Sequence, residues 1–287
     1  MMKIASKYGK ADFTVKLPRA GITLRGWQTT GTDGPVTLCL HGVLDNCASF
    51  DPLREWTPGL GLVAIDLPGH GLSDPISSLT CSYLDYVAAI LELLHEQSWD
   101  NVRLIGHSMG AALSTLIAGL FPDLVSRLVL IDAIGPMSAT PAGLAMTAAR
   151  YLRAYLADRP QAEYASVEQA VLARVQLADI VTDTAERLVE RDLIAVPGGF
   201  SWRTDRRLKY PSAPLFSEEQ VLEFIRAIRA PTLLVSATRT ALVEDFYAGR
   251  IAAVQNLRHV RLPGSHHLHM ENPRPVSAVI RQFLEEN

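Results

Sequence analysis

The chain has 287 residues, 48% hydrophobic and 20% charged, with a formal net charge of −3, a length that supports one large core with or without an inserted subdomain but not several independent domains. That charge leaves no electrostatic footprint for nucleic acid or an anionic membrane, and no apolar run is long enough to span a bilayer. Cys39, Cys47 and Cys81 are odd in number and lack metal-ligand spacing, and the first residues lack an apolar stretch of signal-peptide length, so a reduced cytoplasmic protein is expected.

Two extended pieces come first, at residues 13–17 and 22–27. Apolar runs of strand length follow at 36–40, 62–65, 102–105 and 128–131, then at 232–236 and 258–262. Helical patterns separate them, the longest at 79–97 and others at 108–121 and 273–285. Phe121-Pro122 closes the second of these, because the residue before proline disfavours helical geometry. Strands alternating with helices predict an α/β fold with a mostly parallel, eight-stranded sheet covered on both faces. After Ile134 the rhythm changes. Helices are predicted at 143–157, 167–178 and 184–195, with Pro141, Pro160 and Pro197-Gly198-Gly199 as breakers. The expected organisation is a core of residues 1–134 and 214–287 that carries an inserted helical cap at 135–213.

The chemistry is concentrated at Gly106-His107-Ser108-Met109-Gly110, which follows the strand run at 102–105 and opens the apolar helix after it. A serine at such a turn sits in strained backbone with its hydroxyl exposed, and the flanking glycines leave room for the turn. A serine hydroxyl needs a base, and the base needs an orienting group. The loop after the last strand, Gly264-Ser265-His266-His267-Leu268-His269, leaves the same rim of a doubly wound sheet as Ser108. His266 is favoured as base, since small residues precede it; His267 is second, and His269 is expected to pack beneath the loop. The adjacent pair His266-His267 cannot project to one face, so no metal is predicted. Two oxyanion donors are expected, the N–H of Met109 at the helix start and the N–H of Val43 in the loop His41-Gly42-Val43-Leu44-Asp45-Asn46. His41 is expected to hold that loop. The strand at 232–236 is followed by no carboxylate at its first turn. Asp132, at the end of the neighbouring strand, is therefore preferred as orienter over Glu244 or Asp245, which read as the acidic start of a helix.

Taken together, His41-Gly42, Asp66-Leu67-Pro68-Gly69-His70-Gly71-Leu72-Ser73, Gly106–Gly110 and the segment 264–273 resemble the α/β-hydrolase superfamily in its motif order, across nearly the whole chain. The loop from His41 to Asn46, Gly69-His70-Gly71-Leu72-Ser73, and Gly264-Ser265-His266 followed by His269-Met270 resemble the serine hydrolase-like proteins in particular. The resemblance implies the α/β-hydrolase fold and supports His266 as base. The family's usual acid follows the strand at 232–236, where this chain has Arg239-Thr240; some relatives place it where Asp132 stands here. Serine at the nucleophile position argues against the epoxide hydrolases and haloalkane dehalogenases, which use aspartate. What the resemblance implies is a serine hydrolase that cleaves a carboxylic ester or thioester through an acyl-serine, without a cofactor. Tyr151, Tyr155 and Met146 of the cap are available to an apolar acyl or alcohol group, although lid surfaces more commonly use such residues merely to cover the core. The cationic stretch from Trp202 to Lys209 is read as a solvated hinge rather than a carboxylate or acyl-CoA site. Cleavage of a carbon–carbon bond in a diketone, and a binding protein that has lost its chemistry, are the alternatives.

Overall fold

Burial alternation separates the edges of the sheet from its centre. β1 (Phe13–Leu17) buries every second residue, as a strand with one wet face does, whereas β3 (Thr37–Leu40) and β4 (Leu62–Ile65) are buried throughout. These runs belong to a computed structural model that describes residues 12–29, 34–178, 180–210, 216–240 and 245–286. Its other elements, in chain order, are β2 (Ile22–Gln28), α1 (Asp51–Trp56), α2 (Tyr83–Glu96), β5 (Val102–His107), α3 (Met109–Leu120), β6 (Val125–Ile131), α4 (Leu144–Ala157), β7 (Glu163–Tyr164), α5 (Val167–Ala178), α6 (Thr182–Asp192), β8 (Leu193–Val196), β9 (Gly199–Trp202), α7 (Glu218–Arg226), β10 (Thr232–Ala237), α8 (Asp245–Ala253), β11 (Leu257–Leu262), α9 (Leu268–Glu271) and α10 (Pro273–Glu285).

The main sheet has eight strands in the order β1-β2-β4-β3-β5-β6-β10-β11. Only the β1–β2 and β2–β4 pairs are antiparallel; the remaining pairs are parallel. Side chains of consecutive strand residues point to opposite faces. Leu38 and Leu40 of β3 join a core with α2, α3 and α7, while Cys39 between them joins the core beneath α1 and α10. Because β3, β5, β6 and β11 run in one direction, the loops after them gather at one rim. No helix among the described residues is long and apolar enough to cross a membrane.

Two expectations change. The helix read from residue 79 starts at Tyr83, because Ser82 and Asp85 form a reciprocal capping box that fixes the first turn there. The segment between β6 and β10 is not helical throughout: β7, β9 and β8 form a second, three-stranded sheet. The helix expected at 184–195 ends at Asp192, and Leu193-Ile194-Ala195-Val196 runs on as a strand into a hairpin. Pro197-Gly198 is the turn of that hairpin, with Gly198 at φ +90° as a type II turn requires. The predicted core–cap boundary at 213/214 lies outside the described residues.

Candidate active site

Ser108 sits between the end of β5 and the first residue of α3 with φ 51° and ψ −114°. A non-glycine residue in that region carries backbone strain of order 1–3 kcal/mol, held only because its surroundings over-determine it. The surroundings are tight. A Cβ at Gly110 would stand 1.8 Å from the Leu40 carbonyl oxygen, and one at Gly106 would stand 2.3 Å from the Gly110 carbonyl. The Ser108 N–H is drawn to the Ile131 carbonyl at 3.1 Å, which ties the turn to the end of β6.

One residue further along β6, Asp132 also has positive φ, 49°. Its carboxylate is fully engaged: Oδ1 accepts from the Ala237 N–H at 2.9 Å, and Oδ2 accepts from the Thr240 hydroxyl at 2.7 Å and from His266 Nδ1 at 2.7 Å. Burial pushes this carboxyl up, and the hydrogen bonds from His266, Ala237 and Thr240 more than reverse that, holding it below its ordinary value. With Nδ1–H donating to Asp132, the His266 ring keeps Nε2 as a proton acceptor. Ser108, Asp132, His266, Val43 and Met109 all line one cavity of about 780 Å³. Glu244 lies outside the described residues, and Asp245 is described only as the backbone start of α8.

The other two histidines of the loop go elsewhere. His267 is buried, with Nε2 at 3.2 Å from Asp45 Oδ2. His269 is buried beneath the loop, its Nε2 2.7 Å from the Ser49 hydroxyl and its ring against Phe50. Burial lowers the His269 pKa well below its ordinary value.

The loop after β3 is held by His41, whose Nδ1 donates to the Gly42 carbonyl at 2.7 Å and whose Nε2 accepts from the Leu67 N–H at 2.9 Å. Beyond it, Val43 is 45% exposed and faces the cavity. Its N–H has no hydrogen bond among the described residues. As the first residue of α3, Met109 has an N–H without an intrahelical acceptor.

Behind this loop lies a network that the sequence did not reveal. Asp45 receives Arg174 of α5 at 2.5 Å and His267 as above, while His107 Nδ1 stands 3.4 Å from it without a hydrogen bond. Burial favours the neutral form of His107 and pulls its pKa down to about 4. Its single proton is therefore on Nε2, 2.9 Å from the His266 carbonyl that accepts it. Asp45, His107 and His267 place metal-ligand atom types within 4.8 Å of one another, but the Arg174 guanidinium already supplies the cation that a buried carboxylate requires. Sequence spacing gives no hint of this, since Arg174 is 129 residues from Asp45.

Within the cationic stretch the Arg207–Asp205 pair is local in sequence, whereas the Arg206 and Lys209 contacts reach back 48 residues. Arg206 meets Asp158 at 2.8 Å, Arg207 meets Asp205 at 2.5 Å, and Lys209 Nζ donates to Gln161 at 2.7 Å. Tyr151 lines the cavity, whereas Met146 is largely exposed and Tyr155 faces a separate depression beside Arg206.

The alpha/beta hydrolase fold family matches residues 35–273. A serine hydrolase-like protein of Dictyostelium discoideum is 31% identical over 269 residues, covering 87% of this chain and 74% of that protein. A probable serine hydrolase of Drosophila melanogaster is 30% identical over 295 residues, covering 96% and 88% respectively. The crystal structure of a hypothetical protein from Pseudomonas aeruginosa is similar with a TM-score of 0.90 at 33% identity, covering 96% of this chain and 100% of that one. The chain belongs to the α/β hydrolase fold family, where its relatives include serine hydrolase-like proteins.

Proposed function

We propose that this protein hydrolyses a carboxylic ester or thioester through an acyl-serine on Ser108. His266 Nε2 takes the Ser108 proton as Oγ attacks the carbonyl carbon. The electron pair displaced onto the carbonyl oxygen is met by the N–H groups of Val43 and Met109. Collapse of that intermediate breaks the bond to the leaving group, which departs with the proton held by His266. Water then gives a proton to His266, attacks the acyl carbon and releases the acid, and the proton returns to Ser108.

The observation that carries the reading is the 2.7 Å contact between His266 Nδ1 and Asp132, in the same cavity as a serine in strained backbone. The last residue of β10 and the turn after it, where the family's acid is usual, direct two donors onto Asp132, and among the described residues 238–240 supply no carboxylate. We assign residues 135–213 the role of cap over the cavity, to which they contribute Tyr151, Arg207, Leu208 and Tyr210. Leu84, Met137 and Phe216 supply apolar wall, which fits a small-molecule substrate with an apolar group.

The test is stoichiometric labelling by a fluorophosphonate, lost in Ser108→Ala together with turnover of p-nitrophenyl acyl esters. Asp132→Asn lowers kcat by about 10³–10⁴-fold, because the histidine loses its required tautomer. A wild-type protein that neither labels nor turns over any acyl ester would favour a binding protein on the hydrolase scaffold.

A further inference from the structure

Three arginines wall the cavity in front of Ser108, and they are not equivalent. Arg207 uses its guanidinium within the protein, on Asp205 and on the carbonyls of Ser78 and Ile76, each carbonyl at 2.6 Å. Arg250 is buried; its Nε and Nη2 donate to Glu218 at 2.8 and 2.6 Å, and its Nη1 to the Ile134 and Pro136 carbonyls at 2.8 Å. Arg239 differs: it is exposed, and among the described residues its side chain has no hydrogen bond and no ion pair. A guanidinium does not lose its charge in a protein. Asp132 gives it no hydrogen bond, because both carboxylate oxygens are engaged by Ala237, Thr240 and His266.

Its position defines which part of a substrate it meets. The Arg239 N–H donates to the Gly264 carbonyl at 3.2 Å, in the loop that delivers His266, and the next residue, Thr240, donates to Asp132. Arg239 therefore stands on the histidine side of the cavity. In acyl transfer the fragment that departs is the one the histidine protonates, so a side chain on that side meets the alcohol or thiol portion and not the acyl chain. A planar guanidinium binds a carboxylate through two parallel N–H···O bonds. One unshared positive charge balances one carboxylate and would leave a phosphate dianion half compensated.

We propose that Arg239 forms an anion subsite for the leaving group, and that the preferred substrates are esters or thioesters whose alcohol or thiol part carries a carboxylate. This deepens the acyl-serine reading, on which the term leaving group rests.

The test uses matched thioesters: the butyryl thioester of thioglycolic acid, its methyl ester as neutral twin, and a monosuccinyl thioester of a neutral thiol, whose carboxylate lies on the acyl side. Wild-type protein prefers the charged leaving group over its twin by about ten- to a hundred-fold in kcat/KM, the scale of a charge-assisted hydrogen-bond pair. Arg239→Gln brings that ratio close to one, Arg239→Lys keeps part of it, and Arg229→Gln, which removes a charge from the surface pair with Asp123, keeps all of it. The succinyl substrate shows no dependence on residue 239. A preference that survives Arg239→Gln, or its absence in the wild type, overturns the subsite. Calorimetry in a Ser108→Ala background, with and without Arg239→Gln, reads binding of the same pair without chemistry. The acyl-serine reading fails if Ser108 neither labels nor turns over; the subsite fails if the binding difference between the twins does not depend on Arg239.

Discussion

The two halves of the segment between β6 and β10 are fastened to the body in different ways. α6 buries Thr184, Ala185, Leu188, Val189, Arg191 and Asp192, and α5 buries Arg174. From these helices Arg191 reaches Asp66 at 2.8 Å and Arg174 reaches Asp45 at 2.5 Å, while Asn46 Nδ2 donates to the Leu188 carbonyl at 2.8 Å. α4, of similar length, buries only Tyr151 and leaves Leu144, Met146, Leu152 and Leu156 exposed. A buried charge tolerates few positions, because it must keep its partner. An apolar face with little burial fixes almost nothing, and such regions occupy the low-stability end of a structure. The buried ion pairs thus lie beside the loop that carries Val43, and the looser packing lies at the cavity wall that Tyr151 lines.

The comparison breaks most directly at Arg191. Its Nε donates to both Asp66 oxygens at 2.9 Å. Burial pushes the Asp66 carboxyl up, and the guanidinium, with the Cys47 and Leu72 amides, holds it below its usual range. Arg191→Met leaves a buried carboxylate without its counterion and costs about 3–5 kcal/mol, read as a lower urea midpoint. A cost below about 1 kcal/mol would show that α6 is not anchored by this pair.

Asp192, at the end of α6, gives a second test with a definite pH window. It accepts from the Thr204 N–H at 2.9 Å and from the Thr204 hydroxyl at 2.7 Å, yet burial pushes its carboxyl up to about 7. An aspartate in the unfolded chain titrates near ~3.9, so the folded protein binds an extra proton between those values. The stability that this proton contributes is complete below about pH 4 and is lost as pH rises through 7. Asp192→Asn removes the dependence. Between pH 5 and 8 the wild type should lose about 2–3 kcal/mol more than the variant, measured by chemical denaturation at the two pH values. Parallel pH profiles would overturn the assignment.

How much of this was legible in sequence depended on whether a residue acts through its neighbours in the chain or through distant ones. The eight strands and the turn at Ser108 could be read because apolar runs and the 106–110 pentapeptide are local. His266 and Asp132 could be placed on one rim because the sheet topology fixes where strand ends go, and they meet at 2.7 Å. Thr240 could not be recognised as a donor to Asp132, 108 residues away, since a threonine after a strand carries no signal of its partner. The hairpin β8–β9 was hidden because Leu193-Ile194-Ala195-Val196 follows helix without a breaker, and Pro197-Gly198-Gly199 reads equally well as a loop. The Asp45 network, assembled from four separate segments, leaves no local pattern at all.

The loosely held half is sharpened by smaller effects. The Tyr151 hydroxyl donates to the Leu79 carbonyl, fixing α4 to the segment before α2. Tyr151→Phe removes that bond and costs about 0.5–1.5 kcal/mol. Amide exchange separates a local effect from a global one: protection should fall over 144–157 and stay unchanged over 182–192. Equal losses in both segments would mean that the two halves open together.

Leu156 brings the smallest change. It is 79% exposed, so Leu156→Ser removes almost no buried apolar area, and its effect on the urea midpoint should stay within about 0.5 kcal/mol. A loss above ~1.5 kcal/mol would place that side chain in a buried contact and erase the contrast between α4 and α6. The result is informative because area burial and helix propensity pull the same way here: leucine is only slightly the better helix former, and water already covers most of the side chain in the folded state.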